Sequence, residues 1–205
     1  MSIVDIIPKI GAVGENLEVL DTKRDELIRV ARNLNRLSGK GISSLIRNEK
    51  PTDALKEAGE LLAIVNNYMK ELTPIVSWNS ILSDVEEYSE FAILYNIIYN
   101  EKFVSSEELN VPSWIWLTSI ADVIGELRRI ILRSLIDNDF TLAKKYYKIL
   151  SELSFALRSQ VFSKSLVPNL RRKIDILRAI TEKTESDMAN ASLKFANQDF
   201  SDYGE

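Results

Sequence analysis

The sequence predicts an all-α bundle of six or seven helices opening on a long N-terminal one. Three observations point there. Apolar residues recur mostly every third or fourth position, the spacing that gives a helix one buried face. Only seven glycines and five prolines interrupt 205 residues. No segment shows the sustained two-residue alternation of a half-buried strand.

The first helix is expected from near Ser2 to Asn48, carried by Ile10, Leu17, Leu20, Leu27, Val30, Leu34 and Leu37. Gly11, Gly14, Gly39 and Gly41 are its expected weak points. About 45 residues at 1.5 Å rise would span roughly 70 Å, more than one small domain needs, so part of this helix is expected to pack against another subunit. Pro51-Thr52-Asp53 is a start signal for a second helix that ends before Pro74. The third runs from about Asn79 to Asn100 on Ile81, Leu82, Val85, Phe91, Leu94, Ile97 and Ile98. A loop from Ser105 to Ser113 follows, and Pro112 with Ser113 as N-cap launches a fourth helix, Trp114 to Ile136. Asp137-Asn138-Asp139 breaks it and caps the fifth, about Phe140 to Gln160. The sixth starts near Pro168 and continues past Met188, and the acidic, aperiodic residues 198–205 are expected to fray. With no repeat, low-complexity tract or linker, residues 1–205 read as a single domain.

Composition narrows the chemistry. A content of 45% hydrophobic and 27% charged residues suits a soluble protein with a real core. No apolar run approaches the ~18 residues of a membrane span, and Met1-Ser2-Ile3-Val4-Asp5 lacks the basic start of a signal peptide, so a cytoplasmic protein without membrane attachment is expected. Cysteine and histidine are absent. Disulfides, thiol nucleophiles, Cys/His zinc sites and the commonest acid–base residue are therefore excluded, which leaves carboxylates, hydroxyls, Lys, Arg or a hard cation. The net charge of −4 argues against a uniformly basic surface but leaves room for a local basic stripe.

Two segments carry paired acids at helical spacing: Glu87-Tyr88-Ser89-Glu90 and Ile120-Ala121-Asp122-Val123-Ile124-Gly125-Glu126-Leu127-Arg128-Arg129. Positions i,i+3 and i,i+4 project from one side of a helix, so each segment can offer a two-carboxylate claw, and two facing claws would make an oxygen-rich metal site. Glu87 falls in line with Phe91, Leu94 and Ile98, where an acid is costly unless paired or metal-bound. The plainer alternative is a first turn that protrudes into water. Asp122 and Glu126 share a face with Arg129 and Arg133, opposite Ile120, Val123, Leu127 and Ile130, and solvent-facing salt bridges would explain that pattern equally.

On the first helix, Arg29, Arg36 and Lys40 fall within about 40° of one another, with Arg32 about 60° to one side, opposite the leucine face. Such a stripe suits a phosphate backbone, or is simply solvated. Trp114 and Trp116 could stack bases or pack in a core or subunit contact. There is no Gly-x-Ser-x-Gly and no phosphate-cradling glycine loop, and a ferritin-like di-iron site cannot be written without histidine.

At these residues the sequence resembles the translin family, and within it the translin-associated factor X branch, in a prokaryotic, archaeal-type form. Arg32 to Arg47, with Ser38, Ile42 and Leu45, is similar to the family's first-helix pattern, with Ile46 where a histidine is usual. Glu87-Tyr88-Ser89-Glu90 resembles the branch's Glu-Tyr-x-Glu, Ala121 to Arg129 its Ala-Asp-x-x-Gly-Glu-Leu-x-Arg, and Leu170-Arg171-Arg172-Lys173-Ile174-Asp175 its Leu-Arg-x-x-x-Asp. That branch is the catalytic partner in a magnesium-dependent RNA-cleaving complex. The resemblance implies a translin-like bundle in a closed, octamer-like homo-oligomer that acts as a metal-dependent endoribonuclease on single-stranded RNA, or also binds single-stranded DNA. It makes Glu87, Glu90, Asp122 and Glu126 the ligands of Mg²⁺, or of Mn²⁺ in its place, with Arg29, Arg32, Arg36, Lys40 and Arg129 on the RNA. Two alternatives remain: a non-catalytic oligomer that binds single-stranded RNA or DNA, and a purely structural helical scaffold.

Overall fold

One helix, buried on every side, organises the rest. In the computed structural model, which describes residues 6–201 and side chains as far as Phe195, α3 (Leu82–Tyr99) packs between α1 (Ile7–Ile46) and α5 (Ser113–Ile136), with α2 (Thr52–Leu72) alongside. Val85, Phe91, Ile93 and Leu94 on successive faces of α3 are fully enclosed, as expected of a helix with apolar residues all round. The short α4 (Ser106–Leu109), α6 (Phe140–Arg158) and α7 (Leu170–Ser201) complete seven α-helices among the described residues. α1 pairs with α2 and α5 with α6, while α7 closes over α5 and α6. No strand occurs among the described residues.

The predicted boundaries mostly hold. α1 is helical over 40 residues, or about 60 Å, and runs unbroken through all four glycines. Two of them are there for proximity: a Cβ on Gly41 would stand 2.3 Å from Phe91 Cζ, and one on Gly39 3.1 Å from Glu87 Oε1. Small side chains on α1 thus let α3 approach, instead of weakening the helix. Asp139 caps α6, its Oδ1 accepting from the Leu142 N–H at 2.8 Å. Asn48, Asn110, Asn138 and Asn169, at or just beyond helix ends, adopt left-handed φ values of 63, 55, 60 and 64°, a conformation Asn tolerates better than most residues.

Some boundaries differ. The third helix is preceded by a single 3₁₀ turn, Trp78–Ile81, capped by Ser77, and its α-helical part begins only at Leu82. The segment expected to be a loop contains α4, held by a capping box in which Ser105 Oγ accepts from the Glu108 N–H and Glu108 Oε2 from the Ser105 N–H. Ser113 is not the N-cap of α5; Pro112 takes that place and Ser113 is the first helical residue. α7 reaches Ser201. Residues 1–5 and 202–205, and with them the expected helix start near Ser2 and the end of the acidic tail, lie outside the described residues. No helix among the described residues is long and apolar enough to cross a membrane.

Candidate functional site

α3, α5 and α7 enclose a groove of about 480 Å³ whose lining includes Glu87, Glu90, Asp122 and Glu126. Both predicted acid pairs therefore face one space, for a simple reason: α3 and α5 pack along their length and each turns its i,i+3 or i,i+4 acids the same way. Gly39 of α1 leaves room for the Glu87 carboxylate, whose Oε1 would stand 3.1 Å from a Cβ at that position.

The two pairs have different surroundings. Glu90 is 7% exposed, and neither it nor Glu87 makes a hydrogen bond or ion pair among the described residues. Burial, then the negative charges of Asp122, Glu87 and Glu126, push the Glu90 carboxyl up to about 9, and only Lys173 opposes them. Glu87 is raised by burial and by Asp122 and Glu126. The expectation of a helix start projecting into water does not hold for Glu90, because α3 is covered on every side there. Asp122, by contrast, receives Lys173 Nζ at 2.6 Å, and Glu126 binds Arg129 Nη1 through both oxygens at 3.0 and 2.9 Å. Burial, with the charge of Glu86 adding to it, raises the Asp122 carboxyl above its usual value despite the opposing charge and hydrogen bond of Lys173.

Sequence reasoning did not assign Lys173 or Glu86. The Lys173 side chain, 12% exposed, bridges Asp122 and Glu86, the latter at 2.8 Å, and also reaches the Thr118 carbonyl at 3.4 Å. Burial pulls its pKa down, but Asp122 and Glu86 outweigh that and hold the ammonium above its usual range. Lys173 lies within Leu170–Asp175, so the signal was present, but nothing local reveals that the first turn of α7 lands between α3 and α5. Arg133, expected on the acid face, instead pairs with Asp137 at 3.0 Å.

The donors fit a hard divalent cation in kind. All are carboxylate oxygens, and a buried, partnerless Glu90 among three further acids marks a place short of positive charge. Among the described residues, however, no three carboxylates stand close enough to hold a metal as they are. Asp122 and Glu126 are engaged with Lys173 and Arg129, so a cation would have to draw them inward.

The basic stripe lies beside this groove. Arg29, Arg32, Arg36 and Lys40 are all exposed on α1, and the first three line a concave surface with Arg24 and Asn33. Arg36 donates to Asn33 Oδ1 at 3.0 Å; Arg29, Arg32 and Lys40 make no hydrogen bond or ion pair among the described residues. Arg32 is near enough to Asp84, at the start of α3, to oppose the upward push of burial on that carboxyl. Trp116 is a packing residue: its Nε1 donates to the Val104 carbonyl at 3.0 Å and its ring meets Phe103 edge-on at 5.9 Å. Trp114 is half-buried against the core.

An all-helical fold with facing carboxylate pairs beside an arginine stripe is what the translin resemblance led us to expect. The Translin family profile matches residues 22–194, and the chain belongs to that family. An uncharacterised protein of Methanocaldococcus jannaschii is 29% identical over 174 residues, covering 82% of this chain and 76% of the relative. Among solved structures, AfC3PO in complex with duplex RNA superposes with a TM-score of 0.84 at 29% identity, covering 92% of this chain and 99% of that one. AfC3PO alone gives 0.83 at 30% identity, covering 91% and 98%. Apo-NeC3PO gives 0.80 at 26%, covering 90% and 98%.

Proposed function

We propose that this protein is a metal-dependent endoribonuclease that hydrolyses RNA phosphodiesters in the α3/α5/α7 groove of an oligomeric shell. The observation that carries the reading is Glu90, a buried carboxyl without a partner, surrounded by three more acids. A protein gains nothing in stability from such a residue, and perturbed groups of this kind cluster at functional sites. The duplex RNA bound by the structurally similar AfC3PO supports RNA as the ligand class, with strandedness left to the binding test. Exposed Ile7, Ile10, Val13 and Leu17 along the first turns of α1 support self-association.

Glu87, Glu90, Asp122 and Glu126 would hold Mg²⁺ or Mn²⁺, which when bound supplies Lewis acidity and a more acidic water. Arg29, Arg32, Arg36 and Lys40 hold the phosphate backbone along α1 by point charge and forked hydrogen bonds. Lys173 keeps the Asp122 carboxylate oriented into the groove and offsets part of its charge. Arg129 does the same for Glu126. Glu90 carries a proton at neutral pH and gives it up as the groove gains positive charge. Glu87, half-buried and accepting no hydrogen bond, is the carboxylate available to take a proton from the attacking water.

A non-catalytic RNA-binding oligomer is the second reading, favoured by the ion pairs that already engage Asp122 and Glu126. Labelled RNA, single-stranded and duplex, incubated with the protein plus Mg²⁺, Mn²⁺ or EDTA separates the two. Cleavage that needs the cation and falls about a hundredfold or more in Asp122→Asn or Glu126→Gln supports the enzyme. Binding without cleavage, or cleavage indifferent to EDTA, rejects it.

A further inference from the structure

α3 also borders a second cavity, away from the acids. Tyr88 lies between Glu87 and Glu90 in sequence, and helical geometry turns it to a different side of α3, toward α2. There a space of about 870 Å³ opens between α2, the 3₁₀ turn, α4 and the start of α5. Tyr88 is 7% exposed, and its hydroxyl has no hydrogen-bond partner among the described residues. The hydroxyl ends beside Gly59 on α2, where a Cβ would stand 3.8 Å away, and both residues line the cavity. The hydroxyl is open to the cavity, where it can donate to water or to an acceptor on a bound molecule.

Three more donors line the same space without a hydrogen bond or ion pair among the described residues: the half-buried Trp78 indole N–H and, on exposed residues of α2, the Asn67 amide and the Lys70 ammonium. The carboxylate at the rim, Glu108, is taken by Lys102 and by the Ser105 N–H. The cavity thus offers N–H and O–H donors, a half-buried indole and, at its exposed edge, the positive charge of Lys70. That set matches an acceptor-rich anion carrying a flat ring, with the ring on Trp78 and the anionic group on Lys70.

We propose that the cavity bounded by Gly59, Asn67, Lys70, Trp78 and Tyr88 is a second binding site, separate from the acid groove, for a nucleoside 5′-monophosphate, free or as the 5′ end of an RNA. Adenosine 5′-monophosphate is the probe, since its large ring gives the greater stacking surface. Calorimetric titration into the full chain in EDTA, without RNA, is expected to show saturable binding about tenfold or more tighter than that of adenosine or inorganic phosphate alone. Lys70→Gln and Tyr88→Phe, both with wild-type circular dichroism, should each weaken it several-fold, and Arg32→Glu and Glu126→Gln should leave it unchanged. Competition by a 5′-phosphorylated RNA trinucleotide assigns the site to a chain end, and its absence to the free nucleotide. No saturable binding, binding indifferent to both cavity variants, or loss in Arg32→Glu overturns the proposal. Because neither metal nor RNA is present, failure here leaves the nuclease reading standing.

Discussion

The two acid pairs of the groove are set one helix apart, yet the fold surrounds them differently. On α5, Asp122 and Glu126 each hold a cation of the chain itself, Lys173 and Arg129. On α3, Glu87 and Glu90 hold none, and Glu90 is pushed to about 9. Had both pairs been salt-bridged, the groove would read as ordinary electrostatic packing. The asymmetry instead locates a charge deficit on the α3 side, and on the proposed reading Lys173 would hold the α5 side in place until a cation binds.

The largest expected effect comes from crossing the two pairs. Glu90→Gln and Asp122→Asn should each lower RNA cleavage about a hundredfold or more, while the double variant should lose far less than the product, because one cation would serve both pairs. Single-turnover rates measure this. Multiplicative losses would mean that the pairs act separately.

Stability in EDTA should split the pairs in opposite directions. The unfolded Glu90 carboxyl titrates near its ordinary 4.5 and the folded one near 9, so between those values the folded state holds the extra proton and stability falls as pH rises. Glu90→Gln removes that loss and should stabilise the protein by on the order of 1–3 kcal/mol at pH 8, with the gain shrinking toward pH 5. Lys173→Gln should destabilise by a similar amount, about 1–3 kcal/mol, by leaving Asp122 and Glu86 without their shared ammonium. Urea unfolding across pH checks both, and equal signs would undo the comparison. A smaller effect is expected away from the groove. Arg32→Glu with Arg36→Glu should weaken RNA binding about tenfold and flatten the log–log salt dependence by about 1 per lost phosphate contact. Filter binding at several salt concentrations would show it.

What the sequence made legible was whatever depends on neighbours within one helix. The apolar spacing placed α1, α2, α5 and α6, and the i,i+3 and i,i+4 rule found all four groove acids because both claws are local. The capping box over Ser105 and Glu108 was equally local, but four residues carry too little periodicity to read as a helix. The glycines of α1 misled for the opposite reason: at Gly41 the deciding contact is Phe91, on another helix. Lys173 belongs to this second kind. Its partners Glu86 and Asp122 are 87 and 51 residues away, and only the packing of α7 joins them.

The central claim, that the four acids receive a divalent cation, is tested most directly by calorimetric titration of Mn²⁺ into the wild type and into Glu87→Gln/Glu90→Gln. The account predicts saturable binding in the wild type that tightens by up to about tenfold per pH unit between pH 6 and pH 8, as the Glu90 proton is displaced, and is lost in the variant. Wild-type affinity retained in the variant, or no saturable binding by the wild type, would contradict it.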